Sequence, residues 1–318
     1  MTTSEAARAV AEHFEHRLEL FFGAASDTVA HVYARLAAPS GVGADTQELT
    51  LSGSLYGPEC QYAATLPARF KLVDRGPGPS LLAAATVPEP CFWTPDLPHW
   101  YRAEVELRRG AEVLARASRL FGIRPLGAAG GKLIYDATRW MLRGVICDEV
   151  PQSDLAAWRD ARAAMVVPSP TDALCEAASH AGVLLVAVID APDAAALRRM
   201  SRWPAVGMVV LPAARVKPAL PDHAHRRPAG AGPNLLLAVR GSSCDLTALP
   251  PWIDAVLVDV DSRAELTRNA ADRPALIAMR PGGNFASVAE ARTACDRLQH
   301  DLATRARRAD CDWSGYIV

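Results

Sequence analysis

Between Phe92 and Val145 the apolar residues change their period, and that change constrains the fold more than any other feature of the sequence. The stretch opens on Phe92-Trp93-Thr94-Pro95-Asp96-Leu97-Pro98-His99-Trp100-Tyr101 and alternates up to Phe121-Gly122-Ile123-Arg124. A glycine-rich joint, Gly127 to Gly131, follows, and then Lys132-Leu133-Ile134-Tyr135 leads to Leu142-Arg143-Gly144-Val145. Upstream of the joint, apolar residues alternate with polar ones, the habit of antiparallel sheets with one wet face. Downstream, short Val/Ile/Leu runs alternate with Ala- and Arg-rich helical patterns, the habit of parallel strands buried by helices.

The upstream part predicts a short helical arm over Ser4–His13 and then strands over Leu18–Phe22, Thr28–Leu36, Glu48–Tyr56, Tyr62–Leu72, Ser80–Val87, Trp100–Leu107 and Val113–Phe121. Turns rich in Gly, Pro and Asp separate them, notably Asp74-Arg75-Gly76-Pro77-Gly78-Pro79. Seven strands in so short a span predict an immunoglobulin-like β-sandwich over residues 1–126.

The downstream part predicts eight parallel strands: Met141–Cys147, Ala164–Val167, Val183–Ile189, Val206–Leu211, Leu235–Val239, Ala255–Val258, Ala275–Met279 and Gly315–Val318. Helical stretches fall between them at Ser153–Arg162, Thr171–Ala181, Asp193–Arg202, Ser262–Ala271 and Ser287–Ala306, four with a Ser or Thr start signal. This is the count of a compact (β/α)8 TIM barrel, over residues 132–318, with helices short or missing after strands four and five. Pro212 to Pro233 reads as a long loop on the C-terminal rim, a lid or a degenerated helix.

Trp93-Thr94-Pro95-Asp96, Trp100-Tyr101, Phe121-Gly122-Ile123-Arg124 and Leu142-Arg143-Gly144-Val145 follow one another in order and at fitting distances. Together they resemble the junction of glycoside hydrolase family 2, the β-galactosidases, β-glucuronidases and β-mannosidases. The resemblance runs from about Pro88 to Val145. It implies a sandwich that ends at the FGIR strand and a (β/α)8 barrel that begins at the RGV strand. It also implies an Asn-Glu pair after strand four and a nucleophilic Glu after strand seven. Here strand four ends in Pro212-Ala213-Ala214 and strand seven in Arg280-Pro281-Gly282-Gly283. Glycoside hydrolysis needs two carboxyl groups, and an arginine in place of one reverses the charge. The expectation is a catalytically degenerate family-2-like protein with no catalytic residue to assign and a carbohydrate-related binding or scaffolding role. The alternatives are a hydrolase with repurposed rim carboxylates (Asp190, Asp259), an enzyme for a small anionic ligand, and a protein-interaction module. In this sequence the family's usual N-terminal sugar-binding jelly roll is not expected, since only a short segment precedes Leu18.

The rim of the barrel carries polar residues of its own. Asp148 and Glu149 follow strand one, Asp190 strand three, Arg240 with Ser242 and Ser243 strand five, and Asp259 and Asp261 strand six. Asp148, Asp190, Arg240, Asp259, Asp261 and Arg280 are therefore the candidate ligand residues, and Asp190 and Asp259 stand out because each closes an apolar strand. The plain alternative is that these are helix caps, turn formers and rim ion pairs. Arg280-Pro281-Gly282-Gly283 could also cradle an anion beside a helix start, or be a simple strand-to-helix turn.

Composition excludes several classes. The formal net charge is −1, so nucleic acid is not an expected partner. The seven cysteines are scattered without a CxxC, which favours reduced thiols, with Cys60 and Cys91 the one pair in the sandwich that could bridge. His223 and His225 lack a carboxylate or Cys at ligand spacing, so neither metal nor cofactor is expected. With four glutamates in its first 19 residues the N-terminus does not read as a signal peptide, and no apolar run is long enough to span a membrane. The expected location is cytoplasmic, and the expected ligand a carbohydrate or a small anion.

Overall fold

The computed structural model describes residues 13–37, 49–147, 155–216, 226–241, 249–262, 274–304 and 312–318. The chain divides into two compact units. The first holds residues up to Arg124 with the segments Ala195–Pro204 and Gly232–Asn234, and the second holds Pro125–Ala194, Ala205–Ala231 and Leu235–Val318.

The first unit begins with one helical turn, α1 (Phe14–Arg17), and seven antiparallel strands follow: β1 (Leu18–Ala25), β2 (Val29–Ala37), β3 (Leu49–Glu59), β4 (Ala68–Asp74), β5 (Ser80–Pro88), β6 (Trp100–Arg109) and β7 (Glu112–Phe121). Their order is β1-β2-β5-β4-β3-β6-β7. β4 curls this sheet on itself: its first residues pair with β3, and Val73 and Asp74 pair with Ala84 and Ala83 of β5. Alternation puts Ala30, Val32, Ala34 and Leu36 of β2 and Tyr101, Ala103, Val105 and Leu107 of β6 into one core. A fully buried Leu or Val there contributes about 1.5–3 kcal/mol. The expected Ser4–His13 arm lies outside the described residues except for His13.

Tyr101 ties the corner between β5 and β6. Its hydroxyl accepts from the Cys91 amide at 3.0 Å and faces the Cys91 carbonyl at 3.4 Å, while its ring meets Phe70 edge-on. This is the tyrosine corner of immunoglobulin-like sandwiches. The Trp93 side chain is fully buried, with its amide donating to the Ile123 carbonyl at 2.9 Å. Arg124, also buried, donates to the carbonyls of Pro204 and Asn234, so the FGIR strand ends in a guanidinium that satisfies backbone acceptors.

The second unit opens with a small antiparallel sheet, β8 (Leu126–Ala129), β9 (Lys132–Tyr135) and β10 (Thr138–Arg139). The glycine-rich joint of the sequence is thus the tight turn of a hairpin, with Gly130 and Gly131 at positive φ. The barrel follows: β11 (Leu142–Ile146), β12 (Ala164–Pro168), β13 (Leu185–Val188), β14 (Val206–Pro212), β15 (Leu236–Gly241), β16 (Ala255–Asp259), β17 (Ala275–Met279) and β18 (Trp313–Ile317), all parallel and closed by pairing of β18 with β11. Among the described residues the helices are α2 (Leu155–Asp160), α3 (Asp172–Ala181), α4 (Ala194–Ser201) and α5 (Val288–Thr304), and the helix expected over Ser262–Ala271 lies outside them except for Ser262. Among the described residues no α-helix follows β14 or β15; a 3-10 turn, Ala213–Arg215, follows β14.

Of the four expected start signals, Thr171 and Ser287 act as caps, Ser153 lies outside the described residues, and the Ser262 hydroxyl donates to the Asp259 carbonyl. Thr171 accepts from the Leu174 amide at 3.2 Å, and Ser287 from the Glu290 amide at 3.2 Å while Glu290 reaches back to the Ala286 amide. Helix α5 is tied to the barrel wall by Arg143, which donates to Asp296 at 2.9 Å and to Gln299 and lies over the Tyr316 ring.

Two outcomes check this architecture. Burial pushes the Tyr101 hydroxyl up to about 12 from the usual 10, so its contribution is intact below about pH 10 and is lost as pH rises toward 12. Tyr101→Phe is expected to lower stability by about 1–3 kcal/mol at pH 8, the cost of leaving the partly buried Cys91 amide unpaired. Urea melts at pH 8 and pH 11 should show that deficit shrinking at the higher pH. In the barrel, a Cβ at Gly315 would stand 2.7 Å from Leu142 Cβ, so Gly315→Val should strain closure and destabilise by at least about 1–3 kcal/mol. A melting curve unchanged by that substitution would refute the closure.

Candidate site at the barrel mouth

Which rim residues face the mouth follows from the strand registers. Arg143 and Tyr316 point outward, because Arg143 meets both the Tyr316 ring and α5. Their neighbours Gly144 and Ile317, which pair with each other, therefore point inward. From Gly144 the inner face passes by alternation and pairing to Ile146, Pro168, Val188 and Pro212, and then to Arg240, Asp259 and Met279. Met279 pairs with Ile317, so the path returns to its starting face. Among the described residues the strand ends of this inner layer are apolar apart from one cation, Arg240, which is exposed, and one acid, Asp259, which is half-buried.

Arg280 has the opposite parity. It leaves β17 toward the helix layer, where Nε donates to Asp261 at 2.9 Å and Nη1 to Asp301 of α5 at 3.1 Å. Partial burial opposes its charge, but hydrogen bonds and attraction from Asp301 and Asp261 win, and its pKa is raised. The guanidinium is engaged by two carboxylates and does not share the mouth with Asp259. Asp301 was not legible as a partner in the sequence, because nothing there brings the far end of α5 to the end of β17.

The acids divide accordingly. Asp261 is the partner of Arg280. Asp259 accepts from the Asp261 amide at 3.1 Å and its carbonyl accepts from the Ser262 hydroxyl, so it also shapes the turn after β16. Asp190 is exposed just past β13. Asp148, with Glu149, Ser242 and Ser243, lies outside the described residues. Among the described residues no group of three or more His, Cys, Asp or Glu could hold a metal ion, and no helix is long and apolar enough to cross a membrane. Removing the Arg280 charge should cost little, because these pairs are half-exposed: Arg280→Ala is expected to destabilise by up to about 1 kcal/mol. The deficit should shrink in molar salt, and thermal melts at two ionic strengths measure it.

Residues 24–124 match the model of the glycosyl hydrolases family 2. No curated protein sequence matches the chain. Among solved structures, Parabacteroides merdae β-glucuronidase is similar at 14% identity and TM-score 0.55, covering 95% of this chain and 46% of that one. A putative β-galactosidase from Bacteroides fragilis is similar at 15% identity and TM-score 0.53, covering 79% and 42%. A glycosyl hydrolase family 2 member from Bacteroides cellulosilyticus is similar at 13% and 0.51, covering 77% and 37%. This chain spans less than half the length of these structures, and at such identities the likeness is one of fold. A sandwich segment that matches the family's model and a sandwich followed by a closed eight-stranded barrel give the chain a glycoside hydrolase family 2-like fold.

Proposed function

We propose that this is a catalytically degenerate glycoside hydrolase family 2-like protein whose barrel mouth has a carbohydrate-related binding role. The observation that carries the reading is the chemistry of two strand ends. β14 runs into Pro212-Ala213-Ala214-Arg215 and β17 into Arg280-Pro281-Gly282-Gly283, so neither end offers the carboxyl group that the family's mechanism implies. Arg280, moreover, spends its charge on Asp261 and Asp301. A sugar as ligand is supported by what the similar structures are named for, β-glucuronidase and β-galactosidase activity.

One observation favours a second reading, an enzyme with repurposed rim chemistry. Arg240 and Asp259 share the inner face on neighbouring strands, which among the described residues brings a cation and an acid together at the mouth. Asp259 would be the acid or base there, and Arg240, rather than Arg280, would hold an anionic substituent of the ligand.

The experiment is hydrolysis of chromogenic β-glucuronides and β-galactosides. Release no faster than in buffer is expected. Turnover that disappears in Asp259→Asn or Asp190→Asn would overturn the degenerate reading in favour of the second.

A further inference from the structure

A second surface, on the sandwich, has the chemistry of a binding platform. Tyr56 of β3 pairs with Arg69 of β4 on one side and Arg102 of β6 on the other, so the three side chains stand in one row on the outer face. At a strand spacing of about 4.8 Å the two arginines are about 10 Å apart. Trp100, two residues before Arg102 on the same face, has the Arg102 guanidinium carbon 5.9 Å from its ring centroid. Of the five large apolar side chains left exposed among the described residues, four, Tyr56, Tyr62, Leu66 and Val73, belong to the β3–β4 hairpin.

The arginines are what make the row unusual. Elsewhere on the sandwich Arg35 pairs with Glu19, and Arg108 and Arg116 with Glu106. Among the described residues no ion pair engages Arg69 or Arg102. The next row holds Lys71, Ser54 and Glu104, so one base and one acid border the platform, and Glu59 borders it beside Trp100.

We propose that this row is an accessory binding surface for an acidic oligosaccharide, separate from the barrel mouth. β3 and β6 are inner strands with both edges paired, so a peptide cannot add there as a strand. The exposed Tyr56 ring offers a stacking face for a pyranose ring, Trp100 lies under the Arg102 guanidinium, and the two guanidiniums offer forked donors to carboxylate or sulfate groups. Nucleic acid would need a broader basic field than a face with Glu104 and Glu59 provides. The choice of a glycan rests on the carbohydrate reading above.

The test is calorimetric titration of the whole chain with a hexagalacturonate, against a neutral hexasaccharide, a poly-glutamate peptide and an oligothymidylate. Binding of the hexagalacturonate is expected to weaken with salt and to fall roughly tenfold for each arginine removed, in Arg69→Gln and Arg102→Gln, with unchanged melting temperatures. Tyr56→Ala should weaken it as well. Absence of binding, equal binding by the double arginine variant, or preference for any of the other three probes would overturn the proposal. Loss confined to Arg240→Gln would overturn it too, by placing the glycan at the mouth, and would leave the mouth reading standing. Hydrolysis of the chromogenic glycosides would overturn that reading and leave this one.

Discussion

Every placement in the barrel depends on the pairing of β11 with β18. Eight parallel strands buried on both faces have no water to satisfy an open edge, so the first and last must find each other. Two glycines let them approach. Gly315 sits where a Cβ would meet Leu142, and Gly144 where one would meet Ile317 and Val166. Arg143, between them in the register, points out and fastens α5 across the closure. The Cys295 thiol of α5 reaches the Gly144 carbonyl at 3.3 Å, and burial pushes that thiol up to about 11, which keeps it a neutral packing group. The RGV motif is thus explained by closure before any chemistry is considered.

Most of the fold was legible because its two periods are plain in the residues. In the sandwich, alternation in β2 and β6 separates a wet face from a dry one, and each expected strand has a counterpart there, although the one expected over Tyr62–Leu72 runs over Ala68–Asp74. In the barrel, the eight apolar runs coincide with the eight strands, because such runs have few other ways to be buried. The β8–β10 sheet was not legible: its strands have two to four residues, and Gly127, Gly130 and Gly131 read as a joint rather than a hairpin.

The candidate site was legible only as a set of residues, and the reason is physical. A parallel strand buried on both faces shows no alternation, so its sequence hides which residues look inward. Ala275-Leu276-Ile277-Ala278-Met279 is apolar throughout, and nothing in it says whether the mouth receives Met279 or Arg280. Only the register, followed around the closed barrel, gives Met279 to the mouth and Arg280 to the helices. The same parity separates Arg240 from Arg280, two arginines that look equivalent at strand ends in the sequence.

On the sandwich the situation is reversed, and this explains why its outer row carries an inference more directly than the barrel rim does. Alternation there is visible, so Tyr56 and Arg102 can be assigned to the wet face from sequence; what the sequence withholds is the lateral register. Shifting β3 by a single residue against β6 would bury Tyr56 and expose Leu55. The register is held by the long β3–β6 ladder, and Tyr101, anchored to Cys91, holds the start of β6. The interaction that closes the sandwich corner therefore also helps to hold Tyr56 and Arg102 in one line with Arg69, and beyond Arg102 the row continues to Leu120 of β7 rather than to an acid.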